Sequence, residues 1–232
     1  MFPNELTLQE KFIELKKMHL KKNESILSEF NARFGNVDVV KVIMDNSNLM
    51  NYKQAKLLSN YQLAKVFAYL HNKAIRTFDY LADRTDYDEK ALSYLLSKLI
   101  KANIVNEVTP QRYIISDKFQ FPTLQFSSYE AKLSKWKKAI LQATINKKFS
   151  SYSHVVLPMN IASRLYDSRI NYFLDHNVGL IGVSNSRIEY FLKPKKDLVK
   201  IQCNPSFISS VAKYQIETSM FSNTIIKEKL PQ

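Results

Sequence analysis

Leu81 to Ile115 reads LADRTDYDEKALSYLLSKLIKANIVNEVTPQRYII. Within it Leu92, Leu95, Leu96, Leu99 and Ile100 recur at i, i+3, i+4, i+7 and i+8, one apolar stripe with the period of an α-helix. The opposite face carries Lys90, Tyr94, Ser97 and Lys101, flanked by Ser93 and Lys98. Asp86 and Glu89 have the spacing of a capping box, which predicts a helix starting near Tyr87 and running to Lys101. A helix that buries leucines behind and shows Lys, Ser and Tyr in front is suited to a phosphate-lined groove.

Upstream, Leu63, Val66, Phe67 and Leu70 predict a helix over Gln62–Leu70. Ala74–Arg76 reads as a short extended piece, and Thr77 as the N-cap of a helix over Phe78–Asp83. Downstream, Asn103–Val108 and Arg112–Ser116 read as strands turned at Thr109-Pro110-Gln111. Three helices and a hairpin in this order resemble the winged helix-turn-helix domains of bacterial transcription regulators, over residues 60 to 117. The resemblance implies a third helix in the major groove of double-stranded DNA and a hairpin on the backbone or minor groove. It nominates Lys90, Ser93, Tyr94, Ser97 and Lys98, with Gln111 and Arg112 at the hairpin tip, as DNA-binding. Winged helices also dock other proteins, so an interaction module stays open.

The second half predicts a strand through TLQFSSYEAKL at 123–133 and a basic helix at 134–149. A strand at 151–157, a helix at 160–176 and strands at 178–184 and 188–192 follow. Alternating elements of this kind indicate an α/β sheet with helices on its faces. Glu130 and Lys132, two apart on a strand, point to one side. The next helix buries Trp136, Ala139, Ile140 and Ala143, with Gln142 at its edge.

This arrangement, YEAKLSKWKKAILQATINKKFSSYSHVVLP, resembles the PD-(D/E)xK nuclease superfamily, particularly its RecB-like and restriction-endonuclease-like branches, over roughly 121–192. In that superfamily an Asp and the Glu hold a divalent cation, usually magnesium, and the Lys positions or activates water. By resemblance Glu130, Lys132 and Gln142 are catalytic, and Glu130 is a ligand of Mg2+. The first acid of the family pattern has no clear counterpart: Pro122 precedes Thr123, and Leu124–Tyr129 holds no carboxylate. The nearest upstream acid is Asp117, taken as the second metal ligand. An intact site and an incomplete one both stay open.

From Ala131 through Tyr166 there is no acid, while Lys132, Lys135, Lys137, Lys138, Lys147, Lys148 and Arg164 are basic. That stretch is either a second phosphate-binding surface, led by Lys135 and Lys138, or a solvated helix face. His154, in an apolar strand, reads as a core residue. Residues 1–59 read as a helical extension that packs on the next unit or makes a homodimer. In it a helix at 5–22 and a second at 24–34 end at Gly35, and VDVVKVIM at 37–44 is a strand or a buried helical piece. After Asn204 a short helix over Pro205–Tyr214 leads to a polar tail.

The chain of 232 residues carries 34 Lys plus Arg against 21 Asp plus Glu, a net charge of +13, which favours a polyanionic partner. Its 45% hydrophobic content suffices for packed cores. No apolar run approaches the roughly 18 residues of a membrane span, and no signal-peptide pattern opens the chain. With Cys203 the only cysteine no disulfide framework forms, and three glycines exclude a glycine-rich phosphate loop. The expectation is a cytoplasmic, mixed α/β (α+β overall) protein with segments 1–59, 60–117 and 118–232, the last a restriction-endonuclease-like α/β sheet domain. Its expected function is DNA binding, as a bacterial or mobile-element transcriptional regulator or defence component. The alternative is a metal-dependent DNA endonuclease.

Overall fold

A computed structural model describes residues 2–32, 35–44, 50–70, 74–201 and 203–228, the side chains from 220 onward excepted. The fold is mixed α/β. It divides into two units, each drawn from two separate stretches: Met1–Asp45 with Leu124–Val199, and Asn46–Thr123 with Lys200–Gln232. This differs from the three consecutive segments expected. The first stretch of the second unit, Asn46–Thr123, is inserted into the chain of the first, which resumes at Leu124; the second stretch follows from Lys200.

The first unit is a six-stranded sheet in the order β1-β2-β6-β7-β8-β9, with ranges β1 Glu24–Ala32, β2 Gly35–Met44, β6 Leu124–Ala131, β7 Tyr152–Pro158, β8 Gly179–Val183 and β9 Ile188–Leu192. β1, β2 and β6 run antiparallel, β6, β7 and β8 parallel, and β9 antiparallel to β8. The parallel pairs are linked through helices α6 (Trp136–Asn146) and α7 (Met159–Asp175), as parallel connections require. Glu24–Ala32 is thus a strand, not the helix that its residues suggest. The 37–44 run, open between strand and helix, is the strand β2.

Both sheet faces are covered. Helix α1 (Glu5–Lys17), capped by Asn4 accepting from the Thr7 N–H at 2.8 Å, buries Leu8, Phe12 and Leu15 against Val39, Tyr129, Ala131 and Val156. On the other face α6 and α7 set Ala139, Ile140, Ala143, Ala162 and Phe173 against Val155, Leu157 and Leu180. Fully burying a side chain such as Phe12 or Phe173 contributes about 1.5–3 kcal/mol each. Gly182 allows α7 its approach, since a Cβ there would meet the Phe191 ring at 2.7 Å and Met159 Sδ at 2.9 Å.

The second unit holds α2 (Tyr52–Leu58), α3 (Tyr61–Tyr69), α4 (Phe78–Thr85), α5 (Glu89–Lys101) and α8 (Pro205–Glu228), with a sheet ordered β3-β5-β4 from Arg76–Thr77, Arg112–Ile115 and Val105–Thr109. Helix α2 is an addition to the expected elements, and α8 is longer than the helix ending at Tyr214. α8 packs on α2 and α3, where Ser209 Oγ donates to the Ser59 carbonyl and Gln215 accepts from the Met50 N–H. Thr77 caps α4 as expected, accepting from the Tyr80 N–H. The cap of α5 is Asp88, accepting from the Ala91 N–H at 2.8 Å. Asp86 instead ends α4 in the left-handed region at φ 55°, so the helix begins later than Tyr87. Leu92, Leu95, Leu96 and Leu99 are buried as the stripe requires.

Candidate functional site

In the first unit a small acidic–basic cluster forms where β2 and β6 run side by side. The ladder ends with Val39 paired to Tyr129, and Asp38 and Glu130 are the next residues of the two strands. Asp38 Oδ2 accepts from the Ala131 N–H at 2.8 Å and from Lys132 Nζ at 3.1 Å. Lys132 also donates to its neighbouring Ala131 carbonyl at 2.9 Å and lies 3.4 Å from Glu5 Oε2, at the start of α1. Gln9, buried one turn along that helix, donates to the Asp38 carbonyl at 2.6 Å and to Glu29 Oε1 at 3.2 Å.

Glu130 is 1% exposed. Its Oε1 accepts from Asn146 Nδ2 at 2.7 Å, while Oε2 is buried and, among the described residues, has no hydrogen-bond partner. Burial, and after it the charge of Asp38, push the Glu130 carboxyl up to about 7, against the opposing pull of Asn146 and Lys132. Burial alone would depress the Lys132 ammonium; Asp38, Glu5 and Glu130 outweigh it and hold its pKa above the ordinary value. Asp38 is met by the Lys132 ammonium, and Glu130 Oε2 is the oxygen left without a partner among the described residues.

Glu130 and Ala131 close β6, and Lys132 follows just past the end of the strand, its ammonium on Asp38. The acid beside them is Asp38, whereas Asp117, expected as the second metal ligand, follows β5 in the other unit. Gln142 lies one helical turn before Asn146 on α6, half-buried, with Oε1 unpartnered among the described residues. Asn146, not Gln142, is the α6 side chain that reaches Glu130. Asp38, Asn146, Gln9 and Glu5 escaped the sequence reading. The one signal for Asp38 is a carboxylate inside the β-branched run VDVVKVIM, where a charge is rarely buried without a partner.

Among the described residues no three His, Cys, Asp or Glu side chains cluster as a metal site. Asp38 and Glu130 carry oxygen donors of the kind that magnesium takes, and Glu130 Oε2 has no hydrogen-bond partner among the described residues.

In the second unit the outward face of α5 is open. Lys90, Ser93 and Tyr94 are exposed, Tyr94 by 59%, while Ser97 and Lys98 are half-buried. Lys98 Nζ sits 4.2 Å over the Tyr94 ring, and Ser97 Oγ donates to the Tyr94 carbonyl. At the hairpin tip Gln111 and Arg112 are exposed, Gln111 at φ 61° with its N–H held by Glu107 Oε1. Lys135 and Lys138, around the start of α6, are exposed as well. Among the described residues no helix is long and apolar enough to cross a membrane. Comparison with family models, curated proteins and solved structures finds no match.

Proposed function

We propose that the chain is a metal-dependent DNA endonuclease of the PD-(D/E)xK type, with a winged helix-turn-helix inserted in its restriction-endonuclease-like domain to hold the duplex. The observation that carries this reading is Asp38, on the strand beside Glu130-x-Lys132 and bonded to Lys132. It supplies the acid that the linear order lacks. Asp38 and Glu130 would hold the magnesium ion, which when bound neutralises phosphate charge and makes water a better nucleophile.

The chain's own groups do the rest. Asn146 fixes one oxygen of Glu130, and the other is buried with no hydrogen-bond partner among the described residues. The Ala131 N–H and Gln9 fix Asp38 through its carboxylate and its backbone. Lys132 presents an ammonium at the same point, positioned to orient a scissile phosphate or the attacking water. The exposed α5 face and hairpin tip would bind double-stranded DNA through Lys90, Tyr94 and Arg112.

Incubating supercoiled and linear duplex DNA with the purified chain, in EDTA, Mg2+ or Mn2+, tests the proposal. Cleavage that needs the metal and disappears in Glu130→Ala and Asp38→Asn is expected. Intact DNA under every condition, with salt-sensitive binding retained, returns the chain to the second reading, a DNA-binding regulator or defence component. That reading has its own support in Lys132, whose ammonium already offsets the charge of Asp38.

A further inference from the structure

Helices α6 and α7 leave a groove on the first unit lined by Trp136, Lys137, Ile140, Leu141, Tyr172 and His176. Its walls are mostly carbon; the α6 border carries exposed Lys135, Lys137 and Lys138, and the α7 border the single exposed Asp175 beside His176. Trp136 is backed by Phe173, ring centroids 6.1 Å apart and nearly parallel at 22°. Tyr172 stands at 80° to Trp136 with centroids at 5.5 Å, so the two rings make a corner. Lys137 Nζ lies 5.6 Å from both ring centroids and spans the mouth of that corner. Tyr172 is 46% exposed and Leu141 60%. Such surface on a monomer calls for an occupant.

We infer that this corner is a stacking site for an unpaired base of single-stranded DNA, with Lys137 taking an adjacent phosphate. The inference rests on the proposed action on DNA and adds the substrate class: strands with a frayed, flapped or otherwise unpaired segment. The choice of occupant follows from charge. No acid occurs from Ala131 through Tyr166, and Lys135, Lys137 and Lys138 are exposed at the same end of α6. A ligand that is planar and apolar in its bases and anionic along its backbone matches both features. The groove also starts close to the acid–lysine cluster in sequence, since Trp136 follows Lys132 by four residues, at most about 14 Å of extended chain. A base held there leaves its strand within reach of Lys132.

Trp136 is the only tryptophan, so its fluorescence reports this corner alone. The 232-residue Glu130→Ala chain, in EDTA and low salt, is titrated with oligothymidylate and with a blunt duplex of equal length. Quenching by the single strand at lower concentration than by the duplex is expected. Tyr172→Ala should weaken single-strand binding about tenfold, the scale of one lost stacking contact. Tyr166→Ala, which removes an exposed tyrosine of the same helix outside the groove, should leave it unchanged. No quenching, equal loss in both variants, or emission that shifts with protein concentration without DNA overturns the site, the last marking a surface for a second copy. These outcomes are separate from cleavage: quenching without metal-dependent cleavage removes the nuclease reading alone, and cleavage without quenching removes the stacking site alone.

Discussion

Asp38 and Glu130 both stand one residue past the last pair of two antiparallel strands, and the N–H of Ala131, next after Glu130, donates to Asp38 Oδ2 at 2.8 Å. Burial, and after it the charge of Asp38, push the Glu130 carboxyl up to about 7 from an ordinary 4.5. A carboxyl raised in the folded state favours folding while protonated. That advantage is complete below pH 4.5 and is lost once the pH has risen through about 7. At 1.36 kcal/mol per unit the loss is on the order of 3 kcal/mol. Glu130→Gln, neutral at every pH, should unfold at higher urea than the wild type at pH 8 in EDTA and at similar urea near pH 4.5. A pH-independent difference between the two chains removes this account of the pair.

If the pair holds magnesium, the cation takes over the role of the proton. Asp38→Asn should abolish the stabilisation that millimolar Mg2+ gives in thermal melts, whereas Lys132→Met should keep it and lose cleavage. Asn146→Ala should weaken both metal affinity and cleavage by about 10–100-fold, the usual cost of removing an outer partner of a ligand. Equal metal stabilisation in wild type and Asp38→Asn removes Asp38 from the ligand set.

The two halves of this site differ in how far the sequence discloses them. Glu130 and Lys132 are two residues apart at the end of β6, a spacing that a local pattern can see. Asp38 acts on a residue 93 positions later, across the whole inserted stretch Asn46–Thr123. No local pattern spans that distance. The neighbouring strand added a second obstacle. In ESILSEFNA the alternation breaks at Glu29, which adopts φ 52°, so Ile26, Leu27 and Phe30 fall at a spacing that imitates a helix. A strand read as a helix hides the hairpin that delivers Asp38. The α5 region lies at the other extreme, because its leucine stripe is continuous and its partners are nearby; only the cap moved, from Asp86 to Asp88.

The exposed face of α5 yields a prediction independent of catalysis. Lys90→Glu should weaken duplex binding at every sequence and reduce the slope of log affinity against log salt by about 1, as expected when one phosphate contact is lost. Tyr94→Ala removes the ring under Lys98 and should weaken binding with little change in that slope. Fluorescence anisotropy of a labelled duplex at several salt concentrations measures both. Affinity indifferent to salt and to Lys90 takes DNA off this face.

His154 lies in β7, 6% exposed, with its ring parallel to Tyr129 at 4.8 Å and Nδ1 at 3.4 Å from the Ser128 carbonyl. Gly179 beside it has no room for a side chain, since a Cβ would meet the His154 ring at 2.5 Å. Burial is the main reason that the imidazole stays neutral, its pKa lowered to about 3, with nearby Lys16 acting in the same direction. A base depressed in the folded state makes stability fall with acid. Full stability holds above the ordinary 6.5, and the loss continues until the pH passes about 3, a span worth on the order of 5 kcal/mol. His154→Phe keeps a flat ring and has no proton to gain. Its unfolding midpoint should therefore decline less than that of the wild type between pH 6.5 and 4, as followed by circular dichroism. Parallel decline of the two chains over that range would place the acid sensitivity in other groups. Gly179→Ala should be destabilised at all pH values, because its fault is steric and not electrostatic.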